Sequence, residues 1–154
     1  MIFLGYFSYF RFDFLKNYEN RQITDIQVVS GRYTKKPISG LEDFLTDVSS
    51  KTVMLEESGC KGKFIYMKFD NGMTLFSTLG MTGVWSPVDL KHSRVSFTFP
   101  FKNMKGDLVT DTIYFSDIRN FGTLKFVKTE ELSKKLRSLG PDTLNSQVDF
   151  KTFK

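Results

Sequence analysis

The stretch 63-KFIYMKFDNGMTLFSTL-79 decides the fold. Two runs rich in Phe, Ile, Tyr and Met flank Asp70-Asn71-Gly72, and Asn and Gly tolerate the positive φ that a tight hairpin turn requires. In the first run Phe64, Tyr66 and Lys68 alternate with Ile65, Met67 and Phe69, setting a mixed face against an apolar one. That period of two belongs to a half-buried strand.

Working outward, residues 53–57, 84–86, 93–99, 108–115 and 123–127 continue the strand pattern, with 58–62 and 80–83 as dividers. Residues 23–30 (ITDIQVVS) read as an earlier strand, and 31–40 as a polar loop containing Pro37. Helices flank this run. Residues 12–18 are a short candidate, and 41–48 (LEDFLTDV) align Leu41, Phe44, Leu45 and Val48 on one helical face. Residues 129–139 form another, with Thr129 as N-cap, Leu132, Leu136 and Leu139 as its stripe, and Gly140-Pro141 as its stop. About eight short strands at hairpin spacing predict a mainly β protein, a two-layer antiparallel sandwich in one domain.

Composition agrees: 17 of the 154 residues are Phe, a side chain that favours pleated, half-buried strands. Cys60 is the only cysteine and His92 the only histidine, so a Cys/His zinc site and an internal disulfide are both ruled out. The single cysteine fits a reducing compartment. A net charge of +5 points towards a polyanion, either nucleic acid or an anionic membrane surface. Residues 1–14 are apolar and aromatic, but no basic residue precedes the run, and Arg11 and Asp13 interrupt it. That fits neither a signal peptide nor a membrane-spanning helix. The expectation is an intracellular protein, nuclear or cytoplasmic, working as a monomer away from membranes.

Three clusters carry chemistry. In Lys61-Gly62-Lys63 two lysines open a strand two residues apart, so both ammonium groups can reach one anion; the alternative is a pair of solvated turn lysines. In Leu79-Gly80-Met81-Thr82-Gly83 two glycines allow a tight turn that holds Met81 out from the sheet, or else packs it in the core. In Asp117-Ile118-Arg119-Asn120-Phe121-Gly122 a cationic fork and an aromatic wedge stand two apart, a pairing that suits a base stack and its phosphates. His92 is either a phosphate contact or a surface histidine in a turn.

The order Gly62-Lys63-Phe64, Leu79-Gly80-Met81-Thr82-Gly83, His92-Ser93-Arg94-Val95, Phe115 to Thr123 (FSDIRNFGT) and Leu139-Gly140-Pro141-Asp142 resembles the N-terminal domain of formamidopyrimidine-DNA glycosylase/endonuclease VIII proteins. The Arg-Asn-Phe-Gly-Thr version is most similar to the branch found in large DNA viruses and some eukaryotes. The resemblance covers residues 15–144, leaving 1–14 as an atypical N-terminal segment and 145–154 as a polar tail. It implies a bifunctional glycosylase/AP lyase of base-excision repair, acting on double-stranded DNA with oxidised bases or abasic sites. By the same resemblance Met81, Arg119 and Phe121 fill the gap left by a flipped nucleotide, and Lys63 grips the phosphate beside it, at the reaction centre. His92 and Arg94 lie in a segment similar to another backbone contact, and Lys61, from the Lys-Gly-Lys cluster, is a further candidate DNA contact. Asn120 stands where many members carry a second Arg.

Departures from the pattern are equally legible. The family's nucleophile is an N-terminal proline amine followed by Glu, whereas this chain opens Met1-Ile2-Phe3-Leu4 with no acidic residue before Asp13. No counterpart of the C-terminal helix–two-turn–helix, or of the finger that holds zinc in some members, follows residue 144, so no cofactor is expected here. The expectation is a fragment, or a gene product with an aberrant start and stop; the alternative is a non-catalytic paralogue that binds damaged DNA.

Overall fold

The structure is a computed structural model that describes residues 13–120 and 122–140. A 3-10 turn (Asp13–Tyr18) precedes β1 (Gln22–Ile23) and β2 (Asp25–Val28), and a second 3-10 turn (Arg32–Thr34) leads to α1 (Leu41–Ser50). There follow β3 (Val53–Lys61), β4 (Phe64–Phe69), β5 (Met73–Thr78), β6 (Gly83–Ser86) and β7 (Ser93–Thr98). The chain closes with β8 (Phe101–Lys102), β9 (Leu108–Val109), β10 (Thr112–Asp117), β11 (Thr123–Lys128) and α2 (Leu132–Ser138). Two antiparallel sheets result, ordered β1-β3-β4-β5-β11 and β2-β7-β10-β6, with β8-β9 as a separate ribbon. The sandwich expected from the alternation is the fold observed.

Between the sheets, Ile65, Met67 and Phe69 of β4 meet Trp85, Val95, Phe97, Ile113 and Phe115 of the facing sheet, all essentially inaccessible. Trp85 lies edge-on to Phe97, with ring centroids 5.2 Å apart. Its indole N–H donates across the gap to Ser77 Oγ at 3.1 Å, so the one buried indole donor is satisfied. Phe44 is the buried residue of α1, stacked on Phe126 at 4.3 Å. Phe64 and Phe76 pack edge to face on the outer side of the five-stranded sheet, where the Lys135 ammonium of α2 lies over Phe64.

Several boundaries differ from expectation. The run 23–30 divides at Thr24: β1 pairs with β3 in one sheet and β2 with β7 in the other. Thr24 N–H donates to Thr98 carbonyl at 2.9 Å, which pins the corner where the chain changes sheets. The predicted strand 108–115 likewise splits, because β9 turns to pair with β8 while β10 pairs with β6 and β7. These two splits, with the unpredicted β8, account for eleven strands rather than eight. Residues 58–61, read as a divider, extend β3 in register with β4. Thr129 does not cap a helix by its side chain: its hydroxyl meets that of Thr74 at 2.9 Å, and a 3-10 turn (Thr129–Glu131) precedes α2. The leucine stripe of α2 is only partly covered, Leu139 being exposed. Residues 1–12 and the tail 141–154 lie outside the described residues. Among the described residues no helix is long and apolar enough to cross a membrane.

Candidate nucleic-acid interface

The predicted site residues gather around the C-terminal end of β10, on loops that its last residue holds. Gly80 at φ 62 turns the chain after β5, and the Gly83 N–H closes the turn on Leu79 carbonyl at 2.9 Å. A Cβ on Gly83 would collide with that same carbonyl, so only glycine fits. Met81 is therefore lifted off the sheet and stands 72% exposed, where an unbranched side chain in the core would be covered. Of the two readings of this turn, the presented methionine is the one realised.

Facing it, the segment from Asp117 to Gly122 joins β10 to β11. Asn120 takes the left-handed conformation at φ 62, and its N–H donates to Asp117 carbonyl at 3.2 Å. Asn is among the few side chains that adopt this conformation readily. Gly122 is buried against Phe115, and a Cβ there would lie 2.7 Å from both Phe115 Cζ and Thr78 carbonyl. Ile118 and Arg119 are left exposed at the tip. Phe121 lies outside the described residues.

Asp117 ties the two loops together. Its side chain is buried, 1% exposed. One carboxylate oxygen accepts the Thr82 hydroxyl, and the other accepts the Gly122 N–H at 2.6 Å. Thr82 Oγ1 in turn accepts the Arg119 N–H at 3.3 Å. One threonine hydroxyl thus bridges the methionine turn to both the carboxylate and the arginine backbone. Hydrogen bonds to a charged acceptor each contribute on the order of 1.5–3 kcal/mol, which is how a carboxylate is tolerated in this position.

Arg94 and Arg32 support the same loop. The Arg94 guanidinium donates to Asp117 carbonyl at 2.9 Å, Ile118 carbonyl at 3.3 Å and Ser30 Oγ at 3.1 Å. Arg32 approaches Gly122 carbonyl at 3.4 Å and Asn120 carbonyl at 3.5 Å, both long contacts. His92 contributes its backbone, whose carbonyl accepts Asp117 N–H at 3.1 Å, while its ring is half-exposed. Lys63 is exposed beside the turn, its ammonium 4.0 Å from Met81 Sδ.

Lys61 is the exception. It ends β3, and Gly62 at φ 60 reverses the chain before β4, so Lys61 pairs with Phe64 instead of sharing a face with Lys63. Its ammonium donates to Leu136 carbonyl at 2.9 Å, near the C-terminus of α2, where exposed carbonyls favour a cation. The two lysines diverge because a turn, not a strand, joins them. Sequence reasoning missed Thr82, Asp117 and Arg32 as parts of the arrangement. A polar residue inside the Gly-Met-Thr-Gly turn was its only available signal for Thr82. Among the described residues no cluster of three or more His, Cys, Asp or Glu side chains can hold a metal.

The arrangement is a basic and apolar edge: an exposed thioether, a lysine beside it, and an arginine on a loop locked to the same turn. Such an edge offers cations to phosphates and an adaptable apolar group to a base step.

Comparison with known proteins places this chain in a family. Residues 9–124 match the profile of the formamidopyrimidine-DNA glycosylase N-terminal domain. The formamidopyrimidine-DNA glycosylase of Ligilactobacillus salivarius is 29% identical over 132 residues, covering 80% of this chain and 42% of the relative. That of Lactiplantibacillus plantarum is 30% identical over 90 residues, 57% of this chain and 32% of its own length. The fold is also that of the Lactococcus lactis enzyme crystallised with FAPY-dG containing DNA, with a TM-score of 0.63 at 18% identity over 88% of this chain and 48% of that one. A MutM complex with carbocyclic 8-oxo-G containing DNA gives a TM-score of 0.64 at 17% identity, over 85% of this chain and 46% of the other. The chain spans less than half the length of these relatives. On the family profile it belongs to the formamidopyrimidine-DNA glycosylase N-terminal domain family.

Proposed function

We infer that this domain recognises oxidised or abasic nucleotides in duplex DNA, as the N-terminal part of a base-excision glycosylase with AP lyase activity. One observation carries the reading: Met81 stands exposed on a turn that Thr82 locks to the arginine loop. Extruding a nucleotide costs a few kcal/mol of lost stacking, and an inserted side chain offsets part of that cost. Met81 is the apolar wedge, Arg119 the cation that meets the orphaned base or its phosphate, and Phe121 the aromatic partner. Lys63, beside Met81, is the phosphate grip at the lesion. His92 and Asn120 are further DNA contacts on the same reading. Arg94 acts through its hydrogen bonds to the loop instead of through a phosphate of its own. The reading calls for no cofactor in this stretch of chain and for a partner inside the cell, DNA itself.

The Arg119-Asn120-Phe121-Gly122-Thr123 wording favours the endonuclease VIII-like branch. The bacterial relatives above carry the formamidopyrimidine-DNA glycosylase name, so the branch rests on that wording alone.

Fluorescence anisotropy on a duplex with one abasic-site analogue, against the undamaged duplex, tests the reading. The expected result is tighter binding to the damaged duplex and an affinity that falls steeply with salt. Equal affinity for both duplexes overturns it. Borohydride trapping on abasic DNA separates the chemistry from the binding: a covalent complex assigns lyase activity to the chain, and its absence alongside lesion preference leaves recognition alone.

A further inference from the structure

We propose that Thr82 and Asp117 are positioning residues that join the Met81 turn and the arginine loop into one rigid element, so that the wedge and the cation enter DNA in fixed register. The inference rests on the reading above and adds a coupling device to it. Neither side chain is among those offered to DNA: Asp117 is buried, and Thr82 is half-buried with its hydroxyl turned inward.

The geometry is a short relay. Arg119 N–H donates to Thr82 Oγ1, the Thr82 hydroxyl donates to one Asp117 oxygen, and the Gly122 N–H donates to the other. The two ends of the arginine loop, Arg119 and Gly122, are thereby held by the same carboxylate, one directly and one through the methionine turn. A hydroxyl that both accepts and donates cannot be replaced by a methyl group without breaking two links at once. Side chains that must fill a gap together gain from such pre-organisation, because the loops are ordered before DNA arrives. Were the carboxylate only a local turn cap, the Thr82 link would be dispensable for the loop's order.

The test uses the 154-residue chain with Thr82→Val and Thr82→Ser. Valine keeps the shape and removes the hydroxyl; serine keeps the hydroxyl. Without DNA, amide exchange at Arg119 is expected to accelerate by about tenfold or more in Thr82→Val, and the Met81 methyl resonance to move towards its mobile value. Thr82→Ser is expected to stay close to wild type in both. With DNA, the ratio of affinities for abasic and undamaged duplexes is expected to fall by about threefold or more in the valine variant and to be largely restored by serine. Exchange at Arg119 within about twofold of wild type in Thr82→Val overturns the coupling. Faster exchange with an unchanged affinity ratio overturns its role in positioning. Should wild type itself show no preference for the abasic duplex, the DNA reading falls, while the exchange measurement still decides whether the loops are joined. Asp117→Asn, read by the same exchange at Gly122, replaces Thr82→Val if the latter fails to fold.

Discussion

Strand β10 starts just after one aspartate and ends on another, and the two ends are built in opposite ways. At the start, Asp111 pairs with Arg21 at 3.0 Å, and the same guanidinium donates to Phe99 carbonyl at 2.9 Å. It lies between two rings, 4.6 Å from the Tyr18 centroid and 4.7 Å from that of Phe101. Charge meets charge, and the arginine faces are covered. At the other end, Asp117 is satisfied by a hydroxyl and a backbone N–H, both neutral, and Arg94 binds carbonyls instead of the carboxylate. Arg119 and Lys63, also at that end, are exposed. An aspartate neutralised by arginine closes an end; one satisfied by neutral donors builds a loop frame beside which Arg119 and Lys63 stay exposed.

The largest expected contrast comes from deleting each aspartate in turn, beginning with the buried one. Asp117→Ala orphans the Thr82 hydroxyl and the Gly122 N–H in a buried site, and should lower stability by roughly 2–4 kcal/mol in urea denaturation. A loss below about 0.5 kcal/mol would mean that water replaces the carboxylate, and the frame would be ornamental. Next in size is a binding effect: Arg119→Ala should weaken affinity for the abasic duplex by about tenfold and flatten the salt dependence by about one charge. An equal loss on replacing Arg21 would erase the distinction between the ends.

Smaller still, Asp111→Ala should cost at most about 1 kcal/mol, since both partners of that ion pair are partly solvated and the pair is screened by salt. Repeating the melt at high salt should shrink the difference further. The smallest effect, absent at neutral pH, concerns Tyr18. Burial first, and then the Asp111 charge, push its phenol up from 10.0 to about 12. A folded-state value above the unfolded one means the contribution is intact below the unfolded value, near pH 10, and fades as pH climbs towards the folded value. Tyr66 shifts in the same direction through burial and its 2.9 Å hydrogen bond to Glu57. Tyrosinate absorbance should therefore show Asp111→Asn lowering the Tyr18 midpoint while leaving that of Tyr66 in place.

Much of this molecule was legible before its structure. Alternation in Phe64–Phe69 and the Asp70-Asn71-Gly72 turn fixed a hairpin, and its two strands pair antiparallel. The helical face of 41–48 proved to bury Phe44. Met81 and Arg119 were picked out as residues to be presented, and both are exposed. The glycine turn by itself left Met81 open between a presented and a core side chain; the family resemblance pointed to presentation of both residues.

What composition and pattern determined by themselves were local matters: strand period, turn chemistry, a single Cys and a single His, a basic surplus, and a set of motifs in family order. Only the tertiary structure decided that Lys61 serves the end of α2, that residues 23–30 change sheets at Thr24, and that Thr82, thirty-five residues from Asp117, shares its carboxylate. The reason is physical. Periodicity and φ preference act over a few neighbouring residues, whereas the partner of a hydroxyl or an ammonium depends on which loops the sheet order brings together, and that follows from burying the whole core at once.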